Sequence, residues 1–145
     1  MKRMIYKSQS EKDTNNLAKE IIDDYLNGYR IVCLYGNLGT GKTTFVKEFA
    51  KLLGVKARII SPTFVLVRKH KTLNGRNFYH IDAYRISDLE RRDSEAINEI
   101  LEEKNAIIII EWAERIKNIL PKKRIDITFN YLEKRDEREI TIIKR

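Results

Sequence analysis

The sequence predicts an α/β fold: a central, mostly parallel sheet with helices on both faces and antiparallel hairpin additions. Three observations predict it. The apolar run Ile31-Val32-Cys33-Leu34-Tyr35 leads into Gly36-Asn37-Leu38-Gly39-Thr40-Gly41-Lys42-Thr43, and helical spacing follows. A second apolar run, Ala106 to Ile110, is unbroken, the pattern of a strand buried on both faces. Helical and strand-like segments alternate along the chain, as a parallel sheet requires. At 145 residues, one domain over 1–145 is the simplest organisation.

The elements follow in order. Residues 11–27 read as an amphipathic helix, since Leu17, Ala18, Ile21, Ile22, Tyr25 and Leu26 recur at helical spacing. Ser10 or Thr14 caps its start, and Asn27-Gly28 ends it. Strand 30–35, the Gly-rich loop and helix 42–53 come next. Phe45, Phe49, Leu52 and Leu53 share a face of that helix, and Gly54 closes it. Arg58-Ile59-Ile60 is a short strand candidate, followed by Ser61-Pro62-Thr63 and a strand over 64–70. Asn74-Gly75 is a hairpin signal joining that strand to 77–82. Residues 87–104, rich in Glu, Arg and Leu, read as helical. Pro121 precedes two strands, about 124–131 and 137–143, with Glu133-Lys134-Arg135-Asp136 between them. The hairpins at 63–82 and 124–143 are the antiparallel additions. Nothing is assigned before Ser10.

Residues 36–43 match G-x-x-x-x-G-K-[ST], a phosphate-binding loop in its required strand–loop–helix context. The glycines let successive N–H groups turn inward, and the helix N-terminus adds partial positive charge. Lys42 reaches the β- and γ-phosphates, and the Thr43 hydroxyl ligates Mg²⁺. Glu111, at the carboxyl end of the strand Ile107 to Ile110, stands where ligands bind in open α/β sheets. It is read as the Walker B acid, on Mg²⁺ directly or through water. Trp112 beside it either packs or senses nucleotide or a partner. Asp82, ending the strand Phe78 to Ile81, orients the attacking water, accepts its proton or helps hold Mg²⁺. His80 shares a face with Asp82. Arg85 is a candidate for neutralising phosphate charge, against a packing or surface role for His80, Tyr84 and Arg85 alike. Thr63, in a Pro-stiffened turn, is a candidate for the γ-phosphate or Mg²⁺.

Composition narrows the class. Apolar residues are 42% and charged residues 34%, as in a globular protein with a charged surface. No apolar stretch is long enough to span a bilayer, and no signal core follows the basic N-terminus, so a cytoplasmic location is expected and no membrane. The one cysteine, Cys33, lies inside a predicted strand and reads as a small core residue. The net charge of +8 favours polyanionic partners such as RNA, though no nucleic-acid-binding signature locates a patch.

Four segments together resemble one family: Gly-Asn-Leu-Gly-Thr-Gly-Lys-Thr-Thr-Phe (36–45), Ser-Pro-Thr-Phe-Val-Leu-Val (61–67), Tyr-His-Ile-Asp-Ala-Tyr-Arg (79–85) and Glu-Trp (111–112). In this order and spacing they are similar to the TsaE (YjeE) family, P-loop ATPases of bacterial tRNA threonylcarbamoyladenosine synthesis. The resemblance runs from the helix after Ser10 to the last strands. It implies a P-loop NTPase-like sheet, ATP or ADP as ligand with Mg²⁺, and TsaD and TsaB as partners. Those partners transfer threonylcarbamoyl to the adenosine beside the anticodon. The ATPase resets them, and tRNA is reached indirectly through the complex.

By the same resemblance, Thr43 and Glu111 are the Mg²⁺ ligands, and Gly36, Asn37, Leu38, Gly39, Thr40, Gly41, Lys42, Thr43 and Thr44 hold the phosphates. Ser61 to Phe64, with Thr63, form a switch segment, and Lys42, Asp82 and Glu111 are catalytic. Glu11 and Arg138 contact the base. The chain departs from the family pattern at Asn37 (usually Asp), Thr40 (usually Ala or Ser), Ala113 (usually Pro) and through 90–103, which lacks the usual Leu-Gly pair.

Three rival readings stand beside this one. A small P-loop kinase would need an acceptor pocket and an Arg-rich lid, and only Arg91-Arg92 lies in about the right place. A GTPase switch would need Asn-Lys-x-Asp, which the chain lacks. A non-enzymatic RNA-binding module would leave the phosphate loop, Glu111 and Asp82 unexplained.

Overall fold

The structure, a computed structural model, describes residues 2–26, 28–37, 39–56, 67–86, 91–134 and 137–145. Seven strands form one sheet: β1 (Lys2–Ser8), β2 (Ile31–Tyr35), β3 (Val67–Lys71), β4 (Asn77–Asp82), β5 (Ile107–Glu111), β6 (Ile125–Tyr131) and β7 (Arg138–Lys144). Three α-helices are described, α1 (Glu11–Leu26), α2 (Lys42–Leu52) and α3 (Arg91–Glu102), with a kinked 3₁₀ segment at Ala113–Ile119. Across the sheet the order is β1-β7-β6-β2-β5-β4-β3. The centre, β6-β2-β5-β4, is parallel. The flanks, β3 on β4, β7 on β6 and β1 on β7, are antiparallel. The expected parallel centre with hairpin additions is observed.

β5 shows why the sheet is covered on both faces. Ile107 and Ile109 pack into a layer with Leu17 and Ile21 of α1 and Phe45 and Phe49 of α2. Ile108 and Ile110 point the other way, into a layer with Ile97 and Leu101 of α3. Side chains of a strand alternate between faces, so a doubly covered strand must be apolar throughout. Cys33 is buried in the second layer, and burial pushes its thiol well above the ordinary thiol range. It is a core residue, as expected, and no reactive thiol.

Several details differ from the sequence reading. The sequence pattern assigns nothing before Ser10, yet β1 forms a full edge strand in register from Lys2↔Lys144 to Ser8↔Arg138. Met4 and Tyr6 turn toward the core while Ile5 is 58% exposed. On α2 the buried stripe is Phe45, Val46, Phe49 and Ala50, and Leu52 is exposed. That stripe is centred between Val46 and Phe49, which puts Leu52 at its margin. Ser10, rather than Thr14, caps α1: its hydroxyl accepts from the Asp13 N–H at 3.3 Å. α3 ends at Glu102, two residues before the expected boundary. Asn27, Leu38, the strand candidate 58–60, residues 61–66 with Thr63, residues 87–90 and residues 135–136 lie outside the described residues. No described helix is long and apolar enough to cross a membrane.

Candidate active site

β2 delivers the chain to the phosphate loop at the carboxyl edge of the sheet. Gly36 sits at φ 135°, and a Cβ there would lie 2.5 Å from the Phe129 carbonyl of neighbouring β6. Only glycine fits this approach. Thr40 is buried, and its hydroxyl donates to the Asn37 carbonyl at 2.7 Å, so this unusual loop residue staples the curl. α2 begins at Lys42 with no side-chain cap and no acid in its first turn. Its N-terminal N–H groups and positive end are left for an anion.

Lys42 is almost fully buried. Its ammonium donates to the Gly36 carbonyl and lies 3.6 Å from the centroid of the Trp112 ring. Burial pushes this amine below the ordinary lysine range, against the opposing charges of Glu111, Glu114 and Asp82. A phosphate would supply the missing countercharge at contact distance.

The acids come from adjacent strands. Asp82 of β4 and Glu111 of β5 are register partners at the carboxyl ends of parallel strands. The alternation places Phe78, His80 and Asp82 on one face with Ile107, Ile109 and Glu111, the face that α2 covers. Glu111 is 3% exposed. Its Oε1 accepts from the Thr43 hydroxyl at 3.3 Å, and its Oε2 is 2.5 Å from His80 Nε2. Thr43 and Glu111 therefore bring two hard oxygen donors together at the head of α2. Such a pair suits Mg²⁺, which takes one or two protein oxygens and completes its shell with phosphates and water. No cluster of three or more His, Cys, Asp or Glu that would cage a metal exists among the described residues. Asp82 Oδ1 accepts from the Tyr84 N–H at 3.0 Å, turning the chain at the strand end.

Trp112 follows Glu111 at φ 56°, the one positive φ outside glycine among the described residues. This left-handed residue turns the chain from β5 into the 3₁₀ segment and aims the indole across the loop. Tyr84 packs on it, centroids 4.9 Å apart. Arg85 is exposed.

Beside the loop lies a cavity of about 480 Å³. Glu11 and Arg138 line it together with Gly39, Thr40, Gly41 and Thr44. The two residues assigned to the base thus border the loop assigned to the phosphates. Its size is within the range of small-molecule sites. Arg138 lies 4.3 Å over the Tyr131 ring, and Tyr131 in turn flanks Gly39. Ser8, Gln9, Ser10 and Thr14 complete the wall. Ser10 and Thr14 are expected from the sequence only as helix caps, and Ser8 and Gln9 carry no sequence signal; the wall forms where the end of β1 leads into α1.

The family profile described as threonylcarbamoyl adenosine biosynthesis protein TsaE matches residues 8–140. The chain belongs to the TsaE family. Among its TsaE relatives, the tRNA threonylcarbamoyladenosine biosynthesis protein TsaE of Aquifex aeolicus is 46% identical over 111 residues, 75% of this chain and 76% of that protein. The Bacillus subtilis protein of the same name is 33% identical over 141 residues, 97% of this chain and 85% of its own. The crystal structure of Bacillus subtilis YdiB superposes with a TM-score of 0.76 at 29% identity, covering 99% of this chain and 86% of that one. The TsaE match spans the phosphate loop, both acids and Arg138, so each described site residue lies inside it.

Proposed function

We propose that this chain is the Mg²⁺-dependent ATPase of the tRNA threonylcarbamoyladenosine machinery, hydrolysing ATP to reset a TsaD–TsaB complex between rounds. The observation that carries the ATPase reading is the convergence of Lys42, Thr43 and Glu111 at the head of α2, with Asp82 in register beside Glu111. Family membership supports the place in tRNA modification.

The chain's own residues divide the work. The loop N–H groups and Lys42 bind and orient the β- and γ-phosphates, and the cavity between Glu11 and Arg138 holds the nucleoside end. Thr43 and Glu111 would hold the metal. When bound, Mg²⁺ would supply positive charge to the phosphate oxygens. Asp82 orients the attacking water and accepts its proton.

The test is phosphate release from ATP by the chain alone, with a TsaD–TsaB pair, and with the pair plus tRNA. Slow release alone and stimulation by the pair support the reading. Free phosphate, with no phosphorylated acceptor, separates it from a small kinase. If Lys42→Ala and Glu111→Ala hydrolyse ATP like the parent within the full complex, the assignment is wrong.

A further inference from the structure

His80 is fully buried in the layer between the sheet and α2, beside Phe78. An apolar residue would suit that layer, and a polar group there is costly unless bonded. The hydrogen bond His80 makes runs to Glu111, Nε2 to Oε2 at 2.5 Å, and its Nδ1 has no hydrogen-bond partner among the described residues. A carboxylate accepts but does not donate, so Nε2 carries the proton in this contact. Glu111 is itself buried and needs donors. Two are in place: the Thr43 hydroxyl on Oε1 and the His80 ring on Oε2. A Thr43 hydroxyl that ligates a metal through a lone pair can keep its O–H on Oε1, so the His80 ring is the donor that fixes the other oxygen.

From this geometry we infer that His80 is a positioning residue for metal capture: it pins Oε2 of Glu111 so that Oε1 stays turned toward Thr43. The inference rests on Thr43 and Glu111 being the Mg²⁺ pair. A ligating carboxylate held by a second residue binds metal in a preset orientation, and loss of such a support costs about 10–100-fold in metal affinity. His80 touches neither nucleotide nor metal in this role.

The test uses the full chain and a fluorescent ADP analogue, titrated in Mg²⁺ and again in EDTA. The ratio of the two affinities measures the metal's contribution without any turnover. In His80→Phe, which fills the layer but donates nothing, the ratio should fall about tenfold or more while affinity in EDTA holds within about threefold. In His80→Gln, whose amide N–H reaches as far as Nε2, most of the ratio should return. His80→Leu repeats the apolar arm if the Phe variant does not fold. Equal losses in Mg²⁺ and EDTA would reduce His80 to packing and overturn the inference, as would an unchanged ratio in the apolar variants. A parent that shows no Mg²⁺ effect on ADP binding would sink the metal site itself and this inference with it. A parent with a clear effect and insensitive variants would sink only the role of His80.

Discussion

Lys42 and Trp112 are in direct contact across the mouth of the phosphate loop, the ammonium 3.6 Å from the indole centroid. The same ammonium bonds the Gly36 carbonyl. The cation that a phosphate would engage thus lies on an aromatic face and a backbone oxygen. A cation over an aromatic face gains about 0.5–2 kcal/mol, less than charge-assisted bonds to phosphate offer. Phosphate should therefore win the ammonium.

Nucleotide binding should accordingly change the emission of Trp112, the one tryptophan in the chain. Lys42→Ala should abolish that change and weaken ADP binding by about 10–100-fold, the equivalent of one lost charge-assisted hydrogen bond. A fluorescence titration checks both. Constant emission at saturating ADP would mean the Lys42–Trp112 contact survives binding.

Glu111→Gln and Thr43→Ala should each lower ATP turnover by roughly 10–100-fold, while nucleotide affinity in EDTA changes little. Thr43→Ser, which keeps the hydroxyl, should stay close to the parent. Steady-state phosphate release over a Mg²⁺ series reads this directly, with the loss partly recovered at high Mg²⁺. A loss independent of Mg²⁺ concentration would detach these residues from the metal.

Gly36→Ala should destabilise the fold as well as impair binding. The new Cβ meets the Phe129 carbonyl at 2.5 Å, at a φ of 135°. The strain should cost about 1–3 kcal/mol. Thermal melting should show a drop of several degrees, and a parent-like melting temperature would mean that β6 yields easily here.

Tyr79 and Glu103 set a pH signature away from the site. The Tyr79 hydroxyl donates to Glu103 Oε2 at 2.6 Å, and that bond, with burial second, pushes the phenol up to about 12. Hydrogen bonds from Tyr79 and Asn77 hold the Glu103 carboxyl below its ordinary range. A raised phenol stabilises the fold below its unfolded value near 10, and that stability is lost as pH climbs through about 12. A lowered carboxyl stabilises above 4.5, and its share is lost as pH falls through the folded value. Tyr79→Phe should cost about 1 kcal/mol at neutral pH, with the gap to the parent narrowing at both extremes. Urea unfolding at several pH values measures that gap. A gap independent of pH would assign the loss to packing.

Much of this was legible in the sequence because the decisive signals are local. Ile107 to Ile110 followed by Glu111 announces both a doubly buried strand and an acid at its carboxyl end. The loop 36–43 carries its own strand and helix. What stayed hidden depends on contacts between distant segments. β1 carries a weak sequence signal because an edge strand needs apolar residues on one side only, and Lys2, Arg3 and Lys7 mask the alternation of Met4 and Tyr6. Glu11 and Arg138 lie near opposite ends of the chain and meet only because β1 pairs with β7; the resemblance suggested them, and spacing could not. His80 was visible as a neighbour of Asp82 on one face. Its bond to Glu111 depends on the register between β4 and β5, which no periodicity encodes. The turn at Trp112 is likewise a backbone choice that the residue type argues against.

The most direct measurement is the yield of modified tRNA per TsaD–TsaB complex over time, with the parent chain or with Glu111→Ala, at excess ATP and tRNA. The account predicts repeated rounds with the parent and a stall after the first round with the variant. Repeated rounds at the parent's rate with Glu111→Ala would contradict it, because the complex would then be reset without hydrolysis by this chain.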